Sequence, residues 1–283
     1  MTAFRAALVQ FTAARDPDPN IATVSGLVRE ARAGGADLVL TPENTGMLEP
    51  DDAAKLAKAE HENEHRVLAA LRDVAAETRA WLLIGSLAVK TDDPARVANR
   101  SFLVQPDGGI AARYDKIHLF DVDLSDRESY RESASVAPGE RAVVAATPWG
   151  RLGMSVCYDL RFPLLYRALA QGGAEFLAIP SAFTVPTGRA HWHVLLRARA
   201  IETGCFVLAP AQTGAHAEGR TTYGHSLAVD PWGRVLADAG DVPGVAIADI
   251  DPAQVAEARR AIPSLDNARP FAPPPDLGEA AAE

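Results

Sequence analysis

The sequence predicts a mixed α/β fold of sheets packed on each other with helices outside. Two observations carry this. Apolar segments alternate between strand length and helical spacing up to Val89, and beyond it strand-length segments come in pairs joined by tight turns rich in Pro and Gly. A purely parallel sheet would need a crossover helix between every strand pair, and the paired segments leave no room for one.

Phe4 to Gln10 reads as a short buried strand. Asn20 to Ala33 carries apolar residues at helical spacing and stops at Gly34-Gly35, and Asp37 to Leu40 gives the next strand. A helix follows from Glu64 to Thr78, with Val67, Leu68, Leu71, Val74 and Ala75 on one face, and then a strand from Trp81 to Val89. Arg100 to Gln105 and Ile110 to Lys116 flank Pro106-Asp107-Gly108-Gly109 as a hairpin. Val143 to Thr147 pairs with Arg151 to Val156 through Pro148-Trp149-Gly150, and Ser226 to Asp230 with Arg234 to Ala237 through Pro231-Trp232-Gly233. The shared Pro-Trp-Gly-Arg suits hairpins at equivalent places in two similar halves. Between these hairpins lie helices from Pro163 to Ala170 and Ala190 to Thr203, and strands from Phe176 to Ile179 and Phe206 to Ala209. One domain is expected over residues 1–269, followed by a surface tail over 270–283 rich in Pro, Ala and acid.

The net charge of −9 comes from 28 basic and 37 acidic residues, with the bases scattered instead of gathered into runs. This argues against nucleic acid or an anionic membrane surface as a partner. The apolar runs are strand-sized, far short of the roughly 20 residues that span a bilayer. The opening Met1 to Gln10 is too short for a secretory signal, so a cytoplasmic location is expected. Cys157 and Cys205 stand alone, which gives no support to a disulfide framework or a zinc cluster. Neither a metal nor an organic cofactor is expected. Among the basic residues only Lys55, Lys58, Lys90 and Lys116 are lysines, so each hints at a place that wants a compact ammonium.

Cys157 follows the apolar strand Leu152 to Val156 and precedes Tyr158-Asp159-Leu160-Arg161-Phe162-Pro163, which leads into a helix. A nucleophile at such an elbow projects off the sheet edge, while N–H groups at the helix start favour developing negative charge. Cys205 heads the apolar run Phe206 to Ala209 and reads as a small buried hydrophobe. Glu43 stands just past the strand Leu38 to Leu40, where ligand sites of α/β sheets collect. Lys116 ends a hairpin strand. Taken singly, each of the three also has a plain structural reading: a buried thiol, a solvated or capping acid, and a lysine snorkelling to water.

Together the segments Thr41-Pro42-Glu43-Asn44, Tyr114 to Asp121 and Gly153 to Pro163 resemble the nitrilase superfamily of carbon-nitrogen hydrolases, whose catalytic Glu, Lys and Cys come in this order. The similarity extends through Tyr130-Arg131-Glu132-Ser133, Ala190-His191-Trp192 and Tyr223-Gly224-His225-Ser226, up to about Leu265. The resemblance implies an α-β-β-α sandwich that dimerises or assembles further, with Glu132 as a second acid that holds the lysine and substrate in place. It implies an amidase in which Glu43 is the base, Cys157 the nucleophile, and Lys116 with the Tyr158 N–H the oxyanion holder. The chain looks most like the branch of deaminated glutathione amidases and ω-amidases, while N-carbamoyl amino acid amidohydrolases and nitrilases share the same triad. A non-catalytic binding protein on this fold would have lost a triad member. The substrate expected is a small amide carrying carboxylate. Arg161 is then a plausible anion anchor, or else the partner of a structural acid, and Phe183, Thr187 and Trp192 are candidates for the pocket wall. His118, His191 and His225 invite a histidine base, but structural hydrogen bonding suits each better, and His118 could support Lys116.

Overall fold

Alternate residues of the strand Phe4–Gln10 enter two different cores. Phe4, Ala6 and Leu8 point into one, and Ala7 and Val9 into the other. This is the period of two expected of an extended chain, with both faces buried. The computed structural model describes residues 2–125 and 128–273. Its architecture is an α-β-β-α sandwich.

The first sheet has seven strands, six of them in the order Gly244–Ile250, Phe4–Gln10, Leu38–Leu40, Trp81–Lys90, Val97–Val104 and Ile110–Asp115, with Val136–Ala137 pairing to Val97–Val104. The second has six: Val235–Asp238, Leu227–Val229, Phe206–Ala209, Phe176–Ala178, Gly150–Met154 and Val143–Thr147. Parallel pairing holds the centre of each sheet, and the short strand Val136–Ala137 adds one more parallel pair to Val97–Val104. Phe4 and Leu40 from the first sheet and Leu152, Met154 and Phe176 from the second share the inner core, where Phe4 stacks on Trp149 at 4.5 Å. Outside the first sheet, the helices Pro17–Ala33 and Arg66–Thr78 contribute Val24, Val28, Leu68 and Leu71 to a second apolar layer. The helices Pro163–Gln171 and Val185–Thr203 pack on the second sheet. Each fully buried Val or Leu in these layers stabilises the fold by roughly 1.5–3 kcal/mol.

Several sequence expectations shift in detail. The helix expected from Ala190 begins at Val185, because Pro186 sits in its first turn, where a missing N–H costs nothing. The helix expected from Asn20 begins at Pro17 for the same reason. The two Pro-Trp-Gly-Arg hairpins belong to a single sheet. They form its opposite edges, with the two buried strands Phe206–Ala209 and Phe176–Ala178 between them. Of the expected tail over 270–283, residues 274–283 lie outside the described residues. No described helix is long and apolar enough to cross a membrane.

Candidate active site

The chain turns immediately after the strand Leu38–Leu40, and three bonds hold the turn. The Thr41 hydroxyl accepts from the Gly85 N–H at 3.0 Å, the Asn44 N–H donates to Ser86 Oγ at 2.9 Å, and Gln212 Nε2 donates to the Glu43 carbonyl at 3.0 Å. Gly85 is required here. A Cβ at this position would overlap the carbonyl oxygens of Thr41 and Pro42. The outcome is that the Glu43 carboxylate is buried beneath the inner edge of the first sheet.

Lys116 follows the strand Ile110–Asp115, and its side chain is only 2% exposed. Its Nζ donates to Glu43 Oε1 at 2.8 Å and to Glu132 Oε2 at 2.8 Å. Asn99, from the neighbouring strand, donates from one amide nitrogen to an oxygen of each carboxylate, both at 3.1 Å. Glu132 opens a short 3₁₀ turn and also accepts the Phe120 N–H at 2.7 Å. One ammonium and one amide thus hold two carboxylates together, which a buried like-charge pair requires.

Cys157 comes from the second sheet. It begins the 3₁₀ turn Cys157–Arg161 with φ of 50°, a left-handed conformation rare for a residue with a Cβ. Asp159 pins this elbow. It is fully buried and accepts the Val156 N–H at 2.8 Å, the His118 N–H at 3.0 Å and the Tyr114 hydroxyl at 2.7 Å. The Cys157 N–H donates to the Pro180 carbonyl at 2.9 Å, and the side chain lines the same cavity as Glu43 and Lys116. A sulfur, a carboxylate and an ammonium from distant parts of the chain therefore meet where the two sheets face each other.

The electrostatics follow from burial and neighbours. Burial opposes ionisation of Glu43, but the charge and hydrogen bond of Lys116, the Cys157 hydrogen bond and the charge of Arg220 outweigh it and lower its pKa. Burial pushes the Cys157 thiol above its ordinary value, Glu43 adds to the rise, and Lys116 opposes it. For Lys116, burial favours the neutral amine, yet Glu132 and Glu43 prevail and hold it protonated.

The three groups open into a cavity of about 910 Å³. Tyr158, Arg161, Phe183 and Thr187 line it as the sequence suggests, together with Asn99 and Arg220. Arg161 has no acidic partner among the described residues. Its guanidinium lies 5.5 Å from the Phe183 ring centre, with Nη1 3.3 Å from His191 Nδ1. Trp192 corrects the expectation. It is fully buried, with Nε1 donating to the His225 carbonyl at 2.8 Å, and it backs Phe183 from behind the wall because its ring is needed in the core. The histidines are structural. His118 Nδ1 pairs with Asp159 at 2.7 Å instead of supporting Lys116, and His225 and His193 both bond Asp238. None of His118, His191 and His225 lines the cavity.

Sequence reasoning missed Asn99, Asp159 and Arg220 as parts of this site. For Asp159 a signal existed: an Asp three residues past a strand-end residue often caps the turn it begins. Asn99 and Arg220 carry no local signal, since their partners are remote in sequence.

Known proteins similar to this chain share one family and fold. The family model described as carbon-nitrogen hydrolase matches residues 5–260. The deaminated glutathione amidase of Synechocystis sp. is 41% identical over 275 residues, covering 94% of this chain and 98% of that protein. The crystal structure of the C. elegans NitFhit protein superposes with a TM-score of 0.89 at 35% identity, covering 94% of this chain and 65% of that one. A mutant amidase from Nesterenkonia sp. AN1, with a TM-score of 0.77, 28% identity and coverage of 92% and 98%, shows the result of Michael addition of acrylamide at its active site cysteine.

Proposed function

This chain belongs to the carbon-nitrogen hydrolase family and hydrolyses carbon-nitrogen bonds other than peptide bonds, and from that premise we propose that Cys157 is its nucleophile and deaminated glutathione its substrate. The observation that carries the catalytic assignment is the 2.8 Å contact of Lys116 with Glu43 on the cavity that Cys157 also lines. The substrate assignment is supported by the Synechocystis relative, the cavity of about 910 Å³ and its guanidinium groups.

An amide needs an activated nucleophile, charge stabilisation on its oxygen and a proton for the departing nitrogen. The lowered pKa of Glu43 and the raised pKa of Cys157 support a resting carboxylate and thiol. Glu43 takes the thiol proton as sulfur attacks the carbonyl carbon. Lys116 and the Tyr158 N–H hold the oxyanion of the tetrahedral adduct. Its collapse breaks the C–N bond, and Glu43 passes its proton to the amine that leaves. Glu43 then draws a proton from water, whose oxygen attacks the thioester. The acid departs, and the proton returns to sulfur. Glu132 keeps Lys116 in place, and Arg161 holds a substrate carboxylate.

The reading includes a cytoplasmic location and a homodimer or larger assembly. Val194 and Ile201, exposed on one face of the helix Val185–Thr203, support the assembly. To test the activity, the purified protein is incubated with deaminated glutathione, 2-oxoglutaramate, an N-carbamoyl amino acid and a simple nitrile. Deaminated glutathione is expected to be hydrolysed fastest. Faster turnover of 2-oxoglutaramate would move the assignment to an ω-amidase, and equal or faster turnover of the nitrile would overturn the amidase reading.

A further inference from the structure

Most charges around the cavity are already committed. Lys116 is shared by Glu43 and Glu132, Lys55 pairs with Asp52, Arg131 with Asp123, and Glu49 with Arg15 and Lys58. Two guanidiniums remain without a carboxylate among the described residues, Arg161 and Arg220. Arg161 stands on the elbow of Cys157. Arg220 reaches the same space from a different element, the loop between the strands Thr213–Ala215 and Thr221–Tyr223.

The position of Arg220 is built. Its guanidinium lies 5.5 Å from the Tyr130 ring centre, and Nη2 donates to the Ala182 carbonyl at 3.3 Å. Its Nε is buried and has no hydrogen-bond partner. The nearest acid on its own loop, Glu218, turns instead toward Arg15 at 3.4 Å. Leaving a charged donor unsatisfied in a partly buried site is costly unless a ligand completes it. A planar fork stacked on an aromatic ring is suited to a carboxylate.

We propose that Arg220 is a second carboxylate anchor which, together with Arg161, makes this cavity select amides that carry negative charge. The inference rests on the amidase reading above and deepens it. Deaminated glutathione presents one carboxylate on the acyl side of the scissile bond and one on the leaving side, so two separate cations match two separate charges. Shared chemistry identifies the ligand group as a carboxylate, and the substrates below distinguish which of the two Arg220 holds.

The test compares Arg220→Gln, Arg220→Lys and the parent enzyme on charged and uncharged partners. Cys157 is first alkylated with iodoacetate and with iodoacetamide, a readout that needs no turnover. The ratio of the two rates is expected to fall about 10-fold or more in Arg220→Gln and less in Arg220→Lys, the size of one lost charge-assisted hydrogen bond. Values of kcat/KM are then measured for succinamate against butyramide, and for deaminated glutathione against its C-terminal amide. A selective loss on succinamate places the acyl-side carboxylate on Arg220, and a selective loss on deaminated glutathione places the leaving-side one. Charged-to-neutral ratios that match the parent's in both variants overturn the proposal. A parent enzyme that ignores deaminated glutathione overturns the substrate reading instead, and the alkylation ratio still decides the role of Arg220.

Discussion

Lys116 and Glu132 are joined by two hydrogen bonds, with the lysine Nζ 2.8 Å from one carboxylate oxygen and 3.1 Å from the other. Glu132 also accepts the Phe120 N–H, so the acid is fixed from both sides. Replacing it by Gln keeps the shape and removes one negative charge. Glu132→Gln is expected to lower kcat about 10²-fold by loosening an oxyanion donor, with a smaller effect on KM. A kcat within a few-fold of the parent's would remove Glu132 from the catalytic set.

The two thiols separate cleanly in their surroundings. Cys157 lines the cavity with Glu43 and Lys116, whereas Cys205 lies against the Ala174 carbonyl at 3.2 Å and the guanidinium of Arg259 at 3.1 Å. Cys157→Ser is expected to fold normally and to lose at least about 10⁴-fold in turnover. Cys205→Ser should keep most of its activity. Circular dichroism and steady-state kinetics on both variants check this, and the reverse pattern would mean that the wrong sulfur has been assigned.

The pH profile follows from opposite displacements of the reacting pair. Glu43 is held below its ordinary 4.5 and Cys157 above its ordinary 9.0, so carboxylate and thiol coexist across the neutral range. Values of kcat/KM should stay level from about pH 5 to 9 and fall only outside it. A limb near 6.5 would point to a histidine base instead.

Glu49 lines the cavity without a part in the proposed chemistry, and it offers a test of stability. Burial opposes its ionisation, but hydrogen bonds from Arg15, Lys58 and the Asp51 N–H bring its pKa down to about 2. A depressed acid adds stability above its unfolded value and loses it as pH falls through the folded one. Glu49→Gln should therefore cost about 1–2 kcal/mol at pH 7, after allowing for the exposure of Arg15. The gap should close as the pH approaches 2, and urea titrations at several pH values measure it. A gap that persists unchanged to low pH would rule out this ionic origin.

Gly85 leaves no room for a methyl group against the Thr41 and Pro42 carbonyls. Gly85→Ala should destabilise the protein by roughly 1–3 kcal/mol and depress kcat, because the turn that must shift carries Glu43. Unaltered turnover would mean that the turn relaxes without moving the acid.

Much of this was legible in the sequence because it is periodic or local. The strand Phe4–Gln10, the helix Arg66–Thr78 and the hairpin across Gly108 declare themselves by spacing and turn chemistry. The hairpin of Asp121–Ser125 with Glu128–Arg131 did not, since its strands are short and no Gly, Pro or Asn marks a turn between them. Among site residues, Glu43, Lys116 and Cys157 were recognisable only as a set. Asn99 and Arg220 were invisible, because what each does depends on groups that only the folded chain brings near. Trp192 was misread for the same reason: an aromatic beside the site and an aromatic behind it look alike in one dimension.

The acid and the lysine hang from one sheet and the sulfur from the other, so chemistry depends on how those layers are registered. A slip of one residue along a strand, about 3.3 Å, exceeds the reach of a hydrogen bond and would separate donor from acceptor while leaving most secondary structure intact. Catalytic competence in this molecule is thus a gauge of interlayer alignment. On gentle heating it should fade ahead of the helical signal.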